Sequence, residues 1–166
     1  MPKYKSLINA MIFVAIAYSL YFVLHYFNIG LIKQVTPSMP KGYYLTYRTE
    51  DIGRNDDVLF QPNEKTQQFI VGHGWLPKGV PLLKRIVGIQ GDRLCIKQQQ
   101  VVLNNKTIAS IKDKDIKGNQ LPQFQFCGVI AHNQYFVQGI ANDHSFDSRY
   151  YGLISGNQII SKAIKL

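Results

Sequence analysis

The sequence predicts an all-β domain of antiparallel sheets that follows one N-terminal transmembrane helix. Leu7 to Phe27 is an almost unbroken apolar stretch of 21 residues, long enough at about 1.5 Å per residue to span the roughly 30 Å hydrocarbon core of a bilayer. Beyond Gly30 the helical period disappears, and short β-branched or aromatic runs alternate with Gly, Pro, Asn and Asp, as in strands and turns. We therefore divide the chain into an anchor, residues 1–30, and a β-rich exported domain, residues 31–166.

The apolar N-terminal segment is predicted to remain in the membrane. Lys3 and Lys5 precede it, and no acidic residue occurs before Glu50, so the positive-inside rule places the N-terminus in the cytoplasm and the domain outside. The alternative is a cleaved signal peptide with Ala15-Ile16-Ala17 as its cleavage site. Because the apolar run continues for ten residues past that site, we prefer a single-pass anchor in the inner (cytoplasmic) membrane with a periplasmic domain.

Charge and cysteine content limit the partners of the domain. The chain has 166 residues and a formal charge of +9, but its lysines are scattered and it contains only five arginines, so membrane lipid is a predicted partner and nucleic acid is not.

Cys95 and Cys127 suggest one disulfide in an exported domain, closing a loop of about 33 residues. Two buried free thiols are the alternative for a cytosolic domain. Neither cysteine belongs to a CxxC pair, and we predict no cofactor.

The strands of the domain are predicted from short runs in chain order. They are Val58-Leu59-Phe60, Phe69-Ile70-Val71, Leu82 to Ile89, Arg93 to Ile96, Val101-Val102-Leu103, Thr107-Ile108, Tyr135-Phe136-Val137 and Ile159-Ile160. Asn104-Asn105-Lys106 is predicted as a hairpin turn. No helix of more than two turns is predicted here, and the lysine-rich stretch Lys112 to Gln123 is predicted as an exposed loop or insertion.

Ser38 is a candidate nucleophile in a rigid turn soon after the anchor. It lies in Thr36-Pro37-Ser38-Met39-Pro40, where two prolines restrict the backbone on both sides. A nucleophile benefits when its oxygen points in one direction before the substrate arrives. The alternative is a stiff connection between the membrane segment and the domain.

Lys84 is the candidate general base. It lies in the longest apolar run, where residues two apart share a strand face, so Leu82, Lys84 and Ile86 are on one side. Burial among aliphatic side chains lowers the pKa of a lysine, and a neutral lysine can deprotonate a serine. The alternative is a solvated lysine on an edge strand.

A cluster of polar residues runs from Asn142 to Gly152. Turn chemistry explains its Asn, Asp, Ser and Gly residues. It does not explain Asp147 and Arg149, which would point the same way on a strand and form a local ion pair.

Two alternative sites use histidines. One is a Ser-His-Asp triad that combines Asp143 and His144 with Ser38 or Ser145, and it leaves Lys84 without a role. The other is a metal site, which has less support, so we predict no metal; its candidate ligands are His73, His132 and His144.

Four segments, in this order, resemble the type I signal peptidase family. Ser38-Met39-Pro40 resembles the nucleophile segment. The other three resemble the motifs RGDxVxF, KRxVGxPGD and GDxxxxSxDSRYxG, and they are Arg54 to Phe60, Lys84 to Asp92 and Asn142 to Gly152. Departures from these motifs at turn positions are Asn55, Gln90 and Asn142. Ser-Met-Pro-x-Gly directly after a single anchor resembles the conjugative-transfer (TraF-type) branch of the family.

The resemblance implies a role for each matched residue. Ser38 is implied to be the nucleophile and Lys84 the general base and later acid. The backbone N–H of Ser38 and the hydroxyl of Thr36 are implied to form the oxyanion hole, and Ser145 to orient the lysine amine. The implied supporting residues are Asp143, Asp147 and Arg149. The implied fold is signal-peptidase/LexA-like, with two antiparallel sheets and an apolar surface that faces the membrane.

The implied function is a membrane-anchored serine endopeptidase with a Ser-Lys dyad. Members of the branch process, and some cyclise, a pilin-type precursor for conjugation or type IV secretion. The partners would be this precursor protein and membrane lipid. The alternatives are a housekeeping signal peptidase I that cleaves the signal peptides of secreted proteins, and a non-catalytic anchored β-domain in a secretion complex.

Overall fold

The computed structural model describes residues 2–27 and 29–166, and it begins with a long apolar helix. Helix α1, Pro2–Tyr26, contains a stretch, Tyr4–Tyr26, that is long and apolar enough to cross a membrane, and none of it is buried in the rest of the chain. A helix whose whole apolar circumference is exposed needs another apolar environment, and lipid supplies one.

Seven strands form the larger antiparallel sheet, which carries the regions around Ser38 and Lys84. In spatial order they are β1 (Gly30–Gln34), β2 (Gly42–Tyr47), β11 (Ile159–Lys165), β3 (Asp57–Phe60), β4 (Leu82–Gly88), β9 (Gln134–Gln138) and β10 (Ile154–Ser155). The last strand, β11, lies between β2 and β3, so the beginning and the end of the domain are hydrogen-bonded into one sheet.

Four strands form the smaller antiparallel sheet. In spatial order they are β7 (Lys106–Ser110), β6 (Gln100–Leu103), β5 (Arg93–Lys97) and β8 (Cys127–Val129). The predicted hairpin turn is present between β6 and β7, with Asn104 and Asn105 at φ 48° and 66°, a left-handed conformation that asparagine tolerates and a two-residue turn requires. Cys95 on β5 lies opposite Cys127 on β8, and a disulfide joins them.

These two sheets confirm the predicted fold class, but one predicted strand is wrong. Phe69-Ile70-Val71 belongs to helix α2, Glu64–Gly72, which also exceeds the predicted limit of two helical turns. Asn63 caps this helix by accepting a hydrogen bond from the Thr66 N–H at 2.9 Å, and Thr66 and Ile70 are buried four residues apart on one face. A three-residue apolar run suits either a strand or the end of a helix, and the upstream cap decides for the helix.

The predicted insertion is a loop between β7 and β8. Lys112 to Gln123 contains no helix or strand, only an isolated bridge between Lys114 and Gln120. Ile111 and Leu121 are buried near its two ends, so the loop is attached to the core while its polar residues stay at the surface.

Candidate active site

Burial and backbone hydrogen bonds hold the turn that carries Ser38. Met39 is fully buried beside Tyr44 in the core, which contributes about 1.5–3 kcal/mol. The Tyr44 hydroxyl donates to the Pro40 carbonyl at 2.8 Å, and the Ala141 N–H donates to the Ser38 carbonyl at 3.2 Å. The turn is therefore fixed on both sides of Ser38, whose side chain remains partly exposed.

Gln34 orients the Thr36 hydroxyl beside Ser38. Thr36 Oγ1 lies 3.3 Å from Ser38 Oγ, and Gln34 Nε2 donates to the Thr36 carbonyl at 3.0 Å and to Thr36 Oγ1 at 2.7 Å. Because a carbonyl can only accept, the amide nitrogen of Gln34 must face Thr36, and the threonine oxygen accepts from it. The Thr36 hydroxyl hydrogen is then free to point towards Ser38. Gln34 was not identified from the sequence, where nothing distinguishes it from other polar residues at a strand end.

Lys84 is buried on β4, with 4% of its surface exposed. Its Nζ donates to Ser145 Oγ at 2.9 Å. Burial lowers the pKa of Lys84 to about 8, with Asp147 opposing this shift and Arg149 adding to it. Lys84 and Ser38 line the same cleft, although in the described part of the chain no hydrogen bond joins their side chains.

Asp147 and Arg149 form the predicted ion pair, but not on a strand. Asp147 caps the short helix α3, Ser148–Tyr151. Arg149 Nε donates to Asp147 Oδ1 at 2.8 Å, and Nη2 donates to Oδ2 at 2.9 Å. Both residues are buried, with at most 1% exposed. Aspartate followed closely by an arginine fits a strand or a capped turn equally well, and the hydrogen bond from the Arg149 N–H to the aspartate selects the cap.

Arg149 also holds the loop that carries Ser145. Its Nη1 donates to the carbonyls of Ser110 and Asp143, both at 3.1 Å, and its Nη2 donates to the Ser145 carbonyl at 2.9 Å. Asp143 thus contributes its backbone carbonyl to this network, while its side chain is exposed. The loss of either charge of a buried ion pair leaves the other uncompensated, at a cost of about 3–5 kcal/mol.

Gly139 lies where the Ser38 turn meets Ser145, and it was not identified from the sequence. A Cβ at this position would collide with the Ser145 side chain and lie 2.7 Å from the Ser38 carbonyl oxygen. The Gly139 N–H donates to Asp147 Oδ2 at 2.9 Å. The site therefore requires glycine here for close approach, not for an unusual backbone conformation. In the sequence it reads as an ordinary glycine after a strand.

Residues 4–165 match the family model described as signal peptidase, peptidase S26. The chain belongs to this family of serine peptidases. It is 27% identical over 122 residues to the probable signal peptidase I-2 of Synechocystis, covering 72% of this chain but only half (50%) of that protein. It is 25% identical over 137 residues to the plasmid transfer protein TraF of Escherichia coli, covering 80% of this chain and 73% of that protein. These matches confirm the resemblance that the four segments carry.

Among solved structures, a signal peptidase I from Enterococcus faecalis is similar to this chain with a TM-score of 0.41 and 18% sequence identity. That similarity covers 69% of this chain and 98% of the solved one.

The histidines of this signal peptidase homologue have separate neighbours. His144 is exposed, and its Nε2 lies 3.3 Å from Lys112 Nζ. His132 Nδ1 lies 2.8 Å from Gln90 Oε1, and His73 Nδ1 lies 2.8 Å from a carbonyl of α2. Within residues 2–27 and 29–166 no group of three His, Cys, Asp or Glu side chains is arranged to hold a metal ion.

The candidate site opens into a cleft of about 470 Å³. Its lining includes Ser38, Lys84 and Ser145. Part of the apolar lining comes from α2, the loop after it and the start of β4. Its apolar residues include Ile70, Trp75, Leu76, Leu82, Ile116, Leu121, Phe146 and Tyr150. A cleft with an apolar lining and a few convergent polar groups suits a short stretch of extended peptide.

Proposed function

We propose that the protein is a membrane-anchored serine endopeptidase in which Ser38 is the nucleophile and Lys84 the general base. The observation that supports this most is a buried amine with a pKa of about 8, hydrogen-bonded to Ser145 in the cleft that contains Ser38. A lysine that is partly neutral near physiological pH can accept the serine proton.

The reaction we propose is acyl transfer. Ser38 Oγ attacks the scissile carbonyl while its proton passes to Lys84 Nζ, which requires that Nζ reaches this oxygen once the substrate is bound. The Ser38 N–H and the Thr36 hydroxyl stabilise the oxyanion. Lys84 then protonates the leaving amine, and water or another amine resolves the acyl-enzyme. Water gives a linear product, whereas the amino end of the same chain gives a cyclic one.

We propose a pilin-type precursor for conjugation or type IV secretion as the substrate. The Ser-Met-Pro-Lys-Gly segment after a single apolar helix and the relative named plasmid transfer protein TraF support this choice. The second candidate is a housekeeping signal peptidase I, which is favoured by the relative named probable signal peptidase I-2.

We also propose that α1 anchors the domain on the outer side of the inner membrane. Lys3 and Lys5 before the apolar stretch favour a cytoplasmic N-terminus. On the first three strands at one end of the large sheet, Leu31 pairs with Leu45, which pairs with Ile164, and 61%, 38% and 48% of their surfaces are exposed. These apolar side chains close to the anchor suit contact with lipid, which would hold Ser38 close to the membrane surface.

The direct test incubates membranes that contain the full chain with a candidate pilin precursor and follows the products by mass spectrometry. We expect the wild-type protein and Ser110→Ala, a control at an exposed serine side chain, to process the precursor. We expect Ser38→Ala and Lys84→Met to leave it intact. A product lighter by one water than the linear fragment identifies cyclisation. Processing by Ser38→Ala at the wild-type rate would contradict the proposed nucleophile.

The two substrate classes are separated by complementation of a strain depleted of its own signal peptidase I. A dedicated pilin-processing enzyme should not restore growth, whereas a housekeeping enzyme should. Rescue by the wild-type protein together with failure of Ser38→Ala would therefore favour the second candidate.

A further inference from the structure

The cleft contains a basic region that the proposed mechanism does not use. Lys112, Lys114 and Lys117 line the cleft from the loop between β7 and β8. His144 lines it as well, with its Nε2 3.3 Å from Lys112 Nζ. The three lysines thus lie in the same cleft as Ser38, on a loop that lies outside the motifs of the dyad.

The aspartates of this loop accept hydrogen bonds from amide groups, which leaves the lysine side chains available to a substrate. Asp115 also lines the cleft, but its carboxylate accepts hydrogen bonds from the Lys117 N–H and from the backbone and side chain of Asn119. Asp113 accepts from the amides of Gln99 and Gln123. In the part of the chain that the structure describes, neither aspartate forms an ion pair with a lysine. Three loop lysines therefore face the cleft against one aspartate.

The loop has a defined position. Ile111 and Leu121 are buried near its ends, and the Lys112 N–H donates to the Tyr150 hydroxyl at 3.3 Å. Lys112 is itself only partly exposed. The apolar residues of α2 and β4 that line the cleft can contact apolar side chains of a substrate. The cleft therefore combines an apolar part with a cationic part.

We infer that this cleft selects precursors with an acidic residue close to the scissile bond, held by Lys112, Lys114 and Lys117 while neighbouring apolar side chains contact Trp75 and Leu82. This inference rests on the proposed peptidase function and adds a selection rule to it. Charges that complement a partner contribute specificity and speed its association. Precursors with a basic residue at the same position would be rejected, because like charges repel.

The test uses a library of peptides in which small residues flank the central bond and the residues at the outer positions vary. The full-length protein in membranes cleaves the library, and mass spectrometry identifies the products. We expect Glu or Asp to be enriched at one position or more. A matched pair of peptides with Glu or Gln there should differ about fivefold in kcat/KM at low salt, and less at high salt.

The triple variant Lys112→Gln/Lys114→Gln/Lys117→Gln should lose this preference and cleave the Glu and Gln peptides with the same kcat/KM. The control removes the same charge outside the cleft lining, at Lys65, Lys97 and Lys106, and should keep the preference. Equal cleavage of both peptides by the wild type, or an unchanged preference in the cleft variant, would overturn the inference. Failure of the wild type to cleave any peptide would instead overturn the proposed function, and the inference with it.

Discussion

Lys84 has charged neighbours that act on its amine in opposite directions. Burial is the main cause that lowers its pKa to about 8, while the carboxylate of Asp147 favours the ammonium form and the guanidinium of Arg149 disfavours it. Because Asp147 and Arg149 are paired with each other, the amine always meets these two opposing charges together. Burial remains the largest cause of the lowered pKa.

The first prediction concerns the pH dependence of activity. Below pH 8 the amine of Lys84 is mostly protonated and cannot accept the serine proton, so kcat/KM should fall as the pH drops through about 8 and level off above it. Initial rates between pH 6 and 9.5 with one peptide substrate measure this. A flat profile over that range would contradict Lys84 as the base.

The second prediction concerns Gln34, which we regard as a positioning residue. Gln34→Leu removes the donor that orients the Thr36 hydroxyl, so we expect kcat to fall about tenfold with little change in KM. Thr36→Val should lower kcat about 100-fold or more, which is the usual effect of losing one oxyanion donor.

The double variant of Gln34 and Thr36 provides the control for this prediction. If Gln34 acts through Thr36, Gln34→Leu should have no further effect on kcat in the Thr36→Val background. Additive losses in the double variant would show instead that Gln34 acts by another route.

At the scale of elements, the site depends on how β9, α3 and the Ser38 turn meet. Gly139 follows β9, and its N–H binds Asp147, the cap of α3. Most strands of the domain were predicted, because their β-branched runs and the Asn-Asn turn are strong local signals, whereas β1, β2, β8 and β10 were not. Helices α2 and α3 were not, because their apolar or charged runs are short and suit both periodicities. Their capping residues, Asn63 and Asp147, decide between the two.

The third prediction tests this meeting point through Gly139→Ala. The added methyl group would displace the Ser145 side chain and disturb the hydrogen bond that Ser145 accepts from Lys84, so activity should fall at least 100-fold while the protein still inserts in the membrane and folds. Gly72→Ala is the matched control, because a Cβ there meets no atom within 4 Å. Wild-type activity in Gly139→Ala would show that the close approach is not needed.

At the scale of the whole molecule, the disulfide closes a loop of the chain that contains part of the cleft lining. Cys95 and Cys127 are 32 residues apart in sequence, and between them lie the β6–β7 hairpin and the loop of Lys112 to Gln123. The bond also ties β8, which has three residues, to β5. Cross-linking a loop of this length restricts the unfolded chain and favours the folded one.

The fourth prediction is that Cys95→Ser/Cys127→Ser lowers the free energy of unfolding of the detergent-solubilised protein by about 2–4 kcal/mol. Denaturant titration followed by tryptophan fluorescence measures it, since the chain contains a single tryptophan. A thiol reductant should bring the wild-type protein to the stability of the double variant and leave the double variant unchanged. An unfolding midpoint that is equal with and without the bond would contradict a stabilising role.

The sequence by itself determined the features that depend on neighbouring residues. These are the apolar helix, the proline-bounded turn around Ser38, most strands, and the four segments that indicate the family. Tertiary structure decided the burial of Lys84, its hydrogen bond to Ser145, and the requirement for glycine at position 139. The physical reason is that a pKa shift and a close backbone approach arise from atoms far apart in the chain. Ser145 lies 61 residues from Lys84, and their approach is set by strand pairing and by the buried Asp147–Arg149 pair.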